Sequence, residues 1–293
     1  MSPAGHGHVA MLSFSALVAG SFSLGALAAP LISPAALTLV RFAIAAALVG
    51  AAAGLSSGLT RQVWQAPWRY PVLGGLLAFY FVMMFIGLQT AAAVPTAAVF
   101  TLTPIMAAGF GWLLLGQITS RRMGVALVLG GIGALWVIFR GDLAALLRLD
   151  IGRGEAIYFL GCIAHAVYAP MVRRLNRGET ALAFTFGTLV AGFLWLLLFG
   201  GSATLQTDWM ALPAVVWICL AYIAIAASAL SFVLLQYASL RLPSAKVMAY
   251  TYLVPCWVIL WELALGHGAP PARVALGVAL TVAALLLLLK NED

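Results

Sequence analysis

The chain has 293 residues, 64% of them hydrophobic and only 8% charged. Its mean hydropathy of +1.09 lies outside the range of water-soluble domains and makes it a membrane protein. A formal charge of +7 does not make it a nucleic-acid binder, because the basic residues are scattered between apolar runs and form no patch or stripe.

The chain carries no HExxH, GxSxG or Walker-type loop. Cys162, Cys219 and Cys256 lie inside apolar runs without CxxC spacing, so packing rather than a disulfide or a metal site is expected of them. No catalytic residue and no cofactor is expected, and His6-Gly7-His8 is a weak metal signal near the terminus.

A hydrocarbon core about 30 Å thick takes roughly 20 apolar residues per helix, and Gly, Pro and polar residues divide the chain into runs of that size. The first, 9–29, ends in Ala26-Leu27-Ala28 like a signal peptide. No Lys or Arg precedes Arg41, however, and the run exceeds a signal core of roughly 7–15 residues, so it reads as a retained span. The others are 34–54, 70–91, 95–116, 121–139, 154–173, 180–200, 213–238, 243–265 and 271–290. "LAALLRL" in the loop after the fifth reads as a short interfacial helix. With the N-terminus inside, one side of the membrane collects Arg61, Arg69, Arg121, Arg122, Arg173, Arg174, Arg177, Arg241 and Lys290. The other side collects Arg140, Arg148, Arg153 and Arg273. That bias predicts both termini in the cytoplasm.

Two segments repeat. "PTAAVF" from Pro95 matches "PSAKVM" from Pro243, and "LLLGQ" ending at Gln117 matches "LALGH" ending at His267. The fold class expected is an all-α membrane protein of ten helices in two repeats, 1–141 and 142–293. With five spans each, the second repeat enters the membrane upside down relative to the first, which is a transporter architecture.

Pro104 lies nine residues beyond Pro95, about 13 Å into the membrane at 1.5 Å per residue. A proline at that depth removes a helix bond and leaves the carbonyl of Phe100 without its donor; Pro255 does the same to Thr251. Both are candidate hinges beside a cavity, or packing kinks capped by Thr101, Thr103 or Thr251. Lys246 stands where the first repeat has Ala98, so it either snorkels or faces the cavity and its mouth. Arg41 and Glu262 are read as an ion pair or gate in the same leaflet, with proton carrier as the alternative for Glu262. His165, with Tyr158 and Tyr168 on its face, is a buried structural histidine or a cavity residue. Tyr80, Tyr250, Tyr252 and Trp257 offer rings for stacking or for packing, Ser21 and Ser23 a polar edge, and "GGIG" at 130–133 close helix contact.

On the small-residue first span, "ALTLVRF", "PTAAVFTLTPIMAAGFGWLLLG" and "PSAKVMAYTYLVPCWVILWELALG", the chain resembles the drug/metabolite transporter superfamily, in particular ten-helix proteins with two EamA-type repeats. It looks most like bacterial amino-acid exporters of the YddG-like aromatic type. The resemblance implies cavity positions for Tyr80, Thr103, His165 and Tyr252 and outward transport from a bacterial inner membrane. It also departs from the family, with Gln117 and His267 where "LGE" turns carry Glu. The function expected is export of small amphipathic metabolites, aromatic amino acids first, with Lys246 supplying charge attraction. The expected partners are the small-molecule substrate and the lipid bilayer. Purines, nucleotide sugars or drugs are the alternative cargo, and an enzyme acting on lipid carriers is the reading from another class.

Overall fold

The computed structural model describes residues 3–56 and 64–289, and the regular structure within those segments is all helical. In chain order the helices are α1 Pro3–Ala28, α2 Pro34–Leu55, α3 Arg69–Leu88, α4 Ala93–Phe100, α5 Thr103–Leu115, α6 Arg121–Ile138, α7 Leu143–Arg148, α8 Arg153–Leu175, α9 Ala181–Gln206, α10 Ala214–Ala224, α11 Ser231–Ser239, α12 Ser244–Ala249, α13 Val254–Ala264 and α14 Val274–Leu289. Joined across their interruptions, α4 with α5, α10 with α11 and α12 with α13, they give nine helices long and apolar enough to span a membrane. The shorter apolar α14 makes about ten. The protein is an all-helical, multi-pass membrane protein.

Apolar run length located every span, and the ends moved for local reasons. The first helix starts at Pro3, ahead of the apolar run, because its polar beginning finds partners in the bundle. His8 Nδ1 lies 3.0 Å from the Tyr250 hydroxyl. The "LAALLRL" segment is helical over Leu143–Arg148, and Asp142 caps it by accepting from the N–H groups of Ala144 and Ala145. These two bonds, that of Ala145 first, hold the Asp142 carboxyl below its usual range. Arg61 and Lys290, counted above in the charge bias, lie outside the described residues.

The spans pack in a pattern that survives exchange of the two halves. The third span lies on the sixth and the eighth on the first; the third also lies on the seventh and the eighth on the second. The fourth touches the sixth and the ninth touches the first, while the second and seventh, fifth and tenth, and fourth and ninth pair with each other. Close approach depends on glycine where backbones meet. A Cβ on Gly133 would lie 2.7 Å from the carbonyl oxygen of Gly277, and one on Gly87 2.7 Å from that of Gly154, so α6 against α14 and α3 against α8 admit no larger residue. Outward-facing Leu113, Val125, Leu198, Phe199 and Leu286 are exposed and form the lipid-facing surface.

Candidate functional site

The fourth span is interrupted near its middle. Thr101 N–H bonds to Ala98 O at 3.0 Å and Leu102 N–H to Val99 O at 3.1 Å, a tightened turn after which α5 begins. Pro104 is then the second residue of a new helix, where a missing N–H costs little. The ninth span repeats this design with a 3-10 turn, Tyr250–Leu253, after which Pro255 takes the same place at the start of α13. The freed carbonyls are satisfied by protein. Thr103 Oγ1 donates to Phe100 O at 2.7 Å, and the Val254 N–H donates to Thr251 O. Thr103 and Thr251, separated by the repeat offset, meet at 3.2 Å between their hydroxyls. The two breaks are therefore joined to each other at the middle of the bundle.

Beside them lies a buried set of rings. Tyr80 on α3 packs against His165 on α8 at 4.4 Å between centroids with the ring planes tilted by 43°, and Phe100 lies 5.1 Å from His165 and 5.8 Å from Tyr80. The hydroxyls of Tyr80 and Tyr158 share a 2.9 Å hydrogen bond. Tyr168 extends the set and accepts from Gln236 Nε2 at 2.9 Å. Tyr80 is 3% exposed and His165 2%, so the rings are shut off from both sides. Several polar atoms in the buried interior have no partner, among them His165 Nδ1, Gln236 Oε1, Ser21 Oγ, Ser23 Oγ and Tyr252 Oη. Unsatisfied groups in a dry interior are costly.

The remaining sequence-derived residues go elsewhere. Tyr252 is fully buried, but its ring and hydroxyl lie against Gly130 of "GGIG" on α6, away from the ring set. Lys246 is half-buried at the basic end of the bundle, lining a cleft of about 320 Å³ with Gln117, Thr119 and Met123. Gln117 accepts the Ser244 N–H at 3.1 Å and so caps α12. Arg41 and Glu262 do not pair: Glu262 bonds to His267 Nδ1 at 2.9 Å in a cleft at the opposite end. Arg41, fully buried, bonds to Ser228 Oγ and to Ala227 O, the latter at 2.7 Å. The bridge fails because a widened, π-helical turn over Ile225–Leu230 offers Arg41 a carbonyl and a hydroxyl within its own layer.

Three features had no reading in the sequence. The π turn is one. The second is the His8 to Tyr250 link, accompanied by Trp257 Nε1 donating to Ser15 Oγ at 3.2 Å; both join α1 to the ninth span. The third is a buried ion pair between Arg69, at the start of α3, and Glu179, in the loop before α9. Arg69 also donates to Leu175 O at 2.6 Å, Gln65 O at 2.8 Å and Ala66 O at 3.1 Å. The available signal was that Glu179 is the single acid among the described loops of the basic end. Burial alone would raise the Glu179 carboxyl; the bonds from Arg69 and from the Arg177 N–H outweigh it and hold the group below its usual range.

Two interrupted helices crossing at mid-depth beside buried polar groups are a transporter arrangement, since irregular backbone survives at that depth only inside protein or beside a cavity. Residues 152–290 match the model of the EamA-like transporter family. Across 88% of the chain and 86% of the relative, 25% of positions are identical to the uncharacterized transporter YyaM of Bacillus subtilis (strain 168). A crystal structure with 23% identity superposes with a TM-score of 0.71 over 98% of this chain and 97% of its own, a likeness of fold. The second half of the chain is thus similar to EamA-like transporters, and none of these matches identifies a substrate.

Proposed function

We propose that the chain is a secondary transporter exporting small amphipathic metabolites, with aromatic amino acids as the leading cargo. It is built of two inverted five-helix repeats, 1–141 and 142–293, and the pairing of spans that survives exchange of the halves supports that division. The observation that carries the reading is the junction of the two broken helices at Thr103 and Thr251, set beside the Tyr80, Phe100, Tyr158 and His165 rings. Rings with polar tips suit a cargo that is apolar at one end and polar at the other. His165 Nδ1 and Gln236 Oε1, both unpartnered, are acceptors for an amino group of the cargo.

In this reading the buried rings belong to an occluded state. Rocking of the repeats about Pro104 and Pro255 opens the ring set to one side or the other, and Lys246 attracts or filters cargo at the basic mouth. Outward direction and the YddG-like substrate class rest on the family resemblance.

The test is uptake of labelled phenylalanine, tryptophan, leucine, adenine and uridine diphosphate glucose into liposomes holding the purified protein, with and without a pH gradient. Accumulation of the aromatic amino acids above protein-free liposomes is expected. Transport of adenine or the nucleotide sugar instead would remove the amino-acid assignment, and transport of no compound would remove the panel as cargo.

A further inference from the structure

Arg41 is fully buried, and no carboxylate among the described residues lies within ion-pair distance of it; the two salt bridges there are Arg69 with Glu179 and His267 with Glu262. It stands seven residues into α2, about 10 Å along the helix at 1.5 Å per residue. A cation at such depth is expensive and as a rule faces protein, water or cargo.

The geometry of its bonds leaves one edge unused. Nε donates to Ser228 Oγ and Nη2 to Ala227 O, which occupies one side of the guanidinium fork. The opposite side, Nη1 with the second hydrogen of Nη2, remains, and Nη1 is buried without a partner. Two parallel N–H donors on a planar fork are the complement of a carboxylate. The guanidinium carbon sits 3.6 Å from the centre of the Phe81 ring, and Phe81 meets Tyr80 at 4.5 Å between centroids. The guanidinium is thus one ring away from the Tyr80 and His165 pair.

From this we infer that Arg41 is the carboxylate anchor of the transport site, so that the cargo is a monocarboxylate, an amino acid included. The inference rests on the transport reading above and narrows its substrate class. Two donors on one edge match the two oxygens of a carboxylate, whereas a phosphate dianion has a further oxygen and a second charge to satisfy. The π turn of Ile225–Leu230 has a matching role. By turning the Ala227 carbonyl and the Ser228 hydroxyl towards α2, it holds the guanidinium by one edge and leaves the other for cargo.

The test uses the full-length protein in lipid nanodiscs and four probes, phenylacetate, phenylacetamide, L-phenylalanine and L-phenylalaninol, with dissociation constants measured by calorimetry. Wild-type protein is expected to bind each carboxylate about 10- to 100-fold more tightly than its partner lacking the carboxylate, the worth of a charge-assisted hydrogen bond. Arg41→Gln is expected to erase that preference. Should Arg41→Gln fail to fold, Arg41→Lys carries the test: a point charge in place of the fork weakens acid binding about tenfold and leaves amide binding unchanged. Decanoate, a lipid-derived carboxylate, is expected to bind no more tightly than phenylacetate.

Equal binding of the acids and their carboxylate-free partners by the wild type, binding of none of the four, a preference kept in Arg41→Gln, unchanged acid binding in Arg41→Lys, or tighter binding of decanoate overturns the assignment. Uptake of phenylalanine with the preference intact in Arg41→Gln sinks the anchor and leaves transport standing. A preference lost in Arg41→Gln without any uptake sinks transport and leaves the anchor.

Discussion

Replacing Glu179 by Gln removes the carboxylate from the buried pair with Arg69 while keeping its size and one acceptor. Breaking a buried pair by removing one partner costs about 3–5 kcal/mol, because the other charge is stranded. Arg69 keeps the carbonyls of Leu175, Gln65 and Ala66, so the low end, about 3 kcal/mol, is expected for Glu179→Gln. The double variant Arg69→Met with Glu179→Leu strands no charge and is expected to recover much of that loss. Acid should reproduce the effect in the wild type. The Glu179 carboxyl is held below its usual range, so its contribution is full above the unfolded-state value, about 4.3, and is lost as pH falls through the folded-state value. Stability should therefore keep the full Glu179 contribution, with no pH dependence from it, between neutrality and about pH 5, and show below that a wild-type decline that Glu179→Gln lacks. The assay is unfolding by SDS titration in mixed micelles at a series of pH values, with Glu179→Gln beside a cycle formed by Arg69→Met, Glu179→Leu and their double variant. A Glu179→Gln protein within about 0.5 kcal/mol of wild type, the scatter of an ordinary surface change, would refute the reasoning.

Three further outcomes follow from the same geometry. Gly130→Val drives a branched side chain into the Tyr252 ring and should cost about 1–3 kcal/mol of unfolding free energy; relief by the second change Tyr252→Ala would place the clash there. Thr103→Val removes the hydroxyl that caps Phe100 O and meets Thr251, and should cost about 1–3 kcal/mol for the unsatisfied carbonyl, while Thr96→Val, in the first turn of α4, should cost less. Lys246→Ala should raise the KM for an anionic cargo and leave kcat unchanged if Lys246 acts at the mouth, whereas wild-type kinetics would assign it to the membrane interface alone.

The spans were legible because hydrophobic run length is a local property, and a bilayer forces each run to satisfy its own backbone bonds. The prolines were legible for the same reason: Pro104 and Pro255 disturb bonds four residues away wherever they stand. What remained hidden depends on partners distant in sequence. Arg41 and Glu262 share a leaflet by depth, yet depth says nothing of azimuth, and the π turn that captures Arg41 leaves no mark in "IAASAL". Arg69 looked like a topology charge because Glu179, its partner, lies beyond four further spans on the same end. The resemblance grouped His165 and Tyr80 as cavity positions, and their rings lie 4.4 Å apart between centroids. Tyr252, grouped with them by the resemblance, lies against Gly130; a helical face cannot be fixed across a 3-10 turn that changes the rotation per residue.

The decisive experiment joins the two broken helices. Cysteines at Thr103 and Thr251, whose hydroxyls lie 3.2 Å apart, are introduced after Cys162, Cys219 and Cys256 have been replaced by Ala, and liposome uptake of labelled phenylalanine is followed before and after reduction. A protein that transports when reduced, stops when oxidised and recovers on adding a reductant is the expected result. An oxidised, cross-linked protein that transports as fast as the reduced one would contradict passage between the two halves.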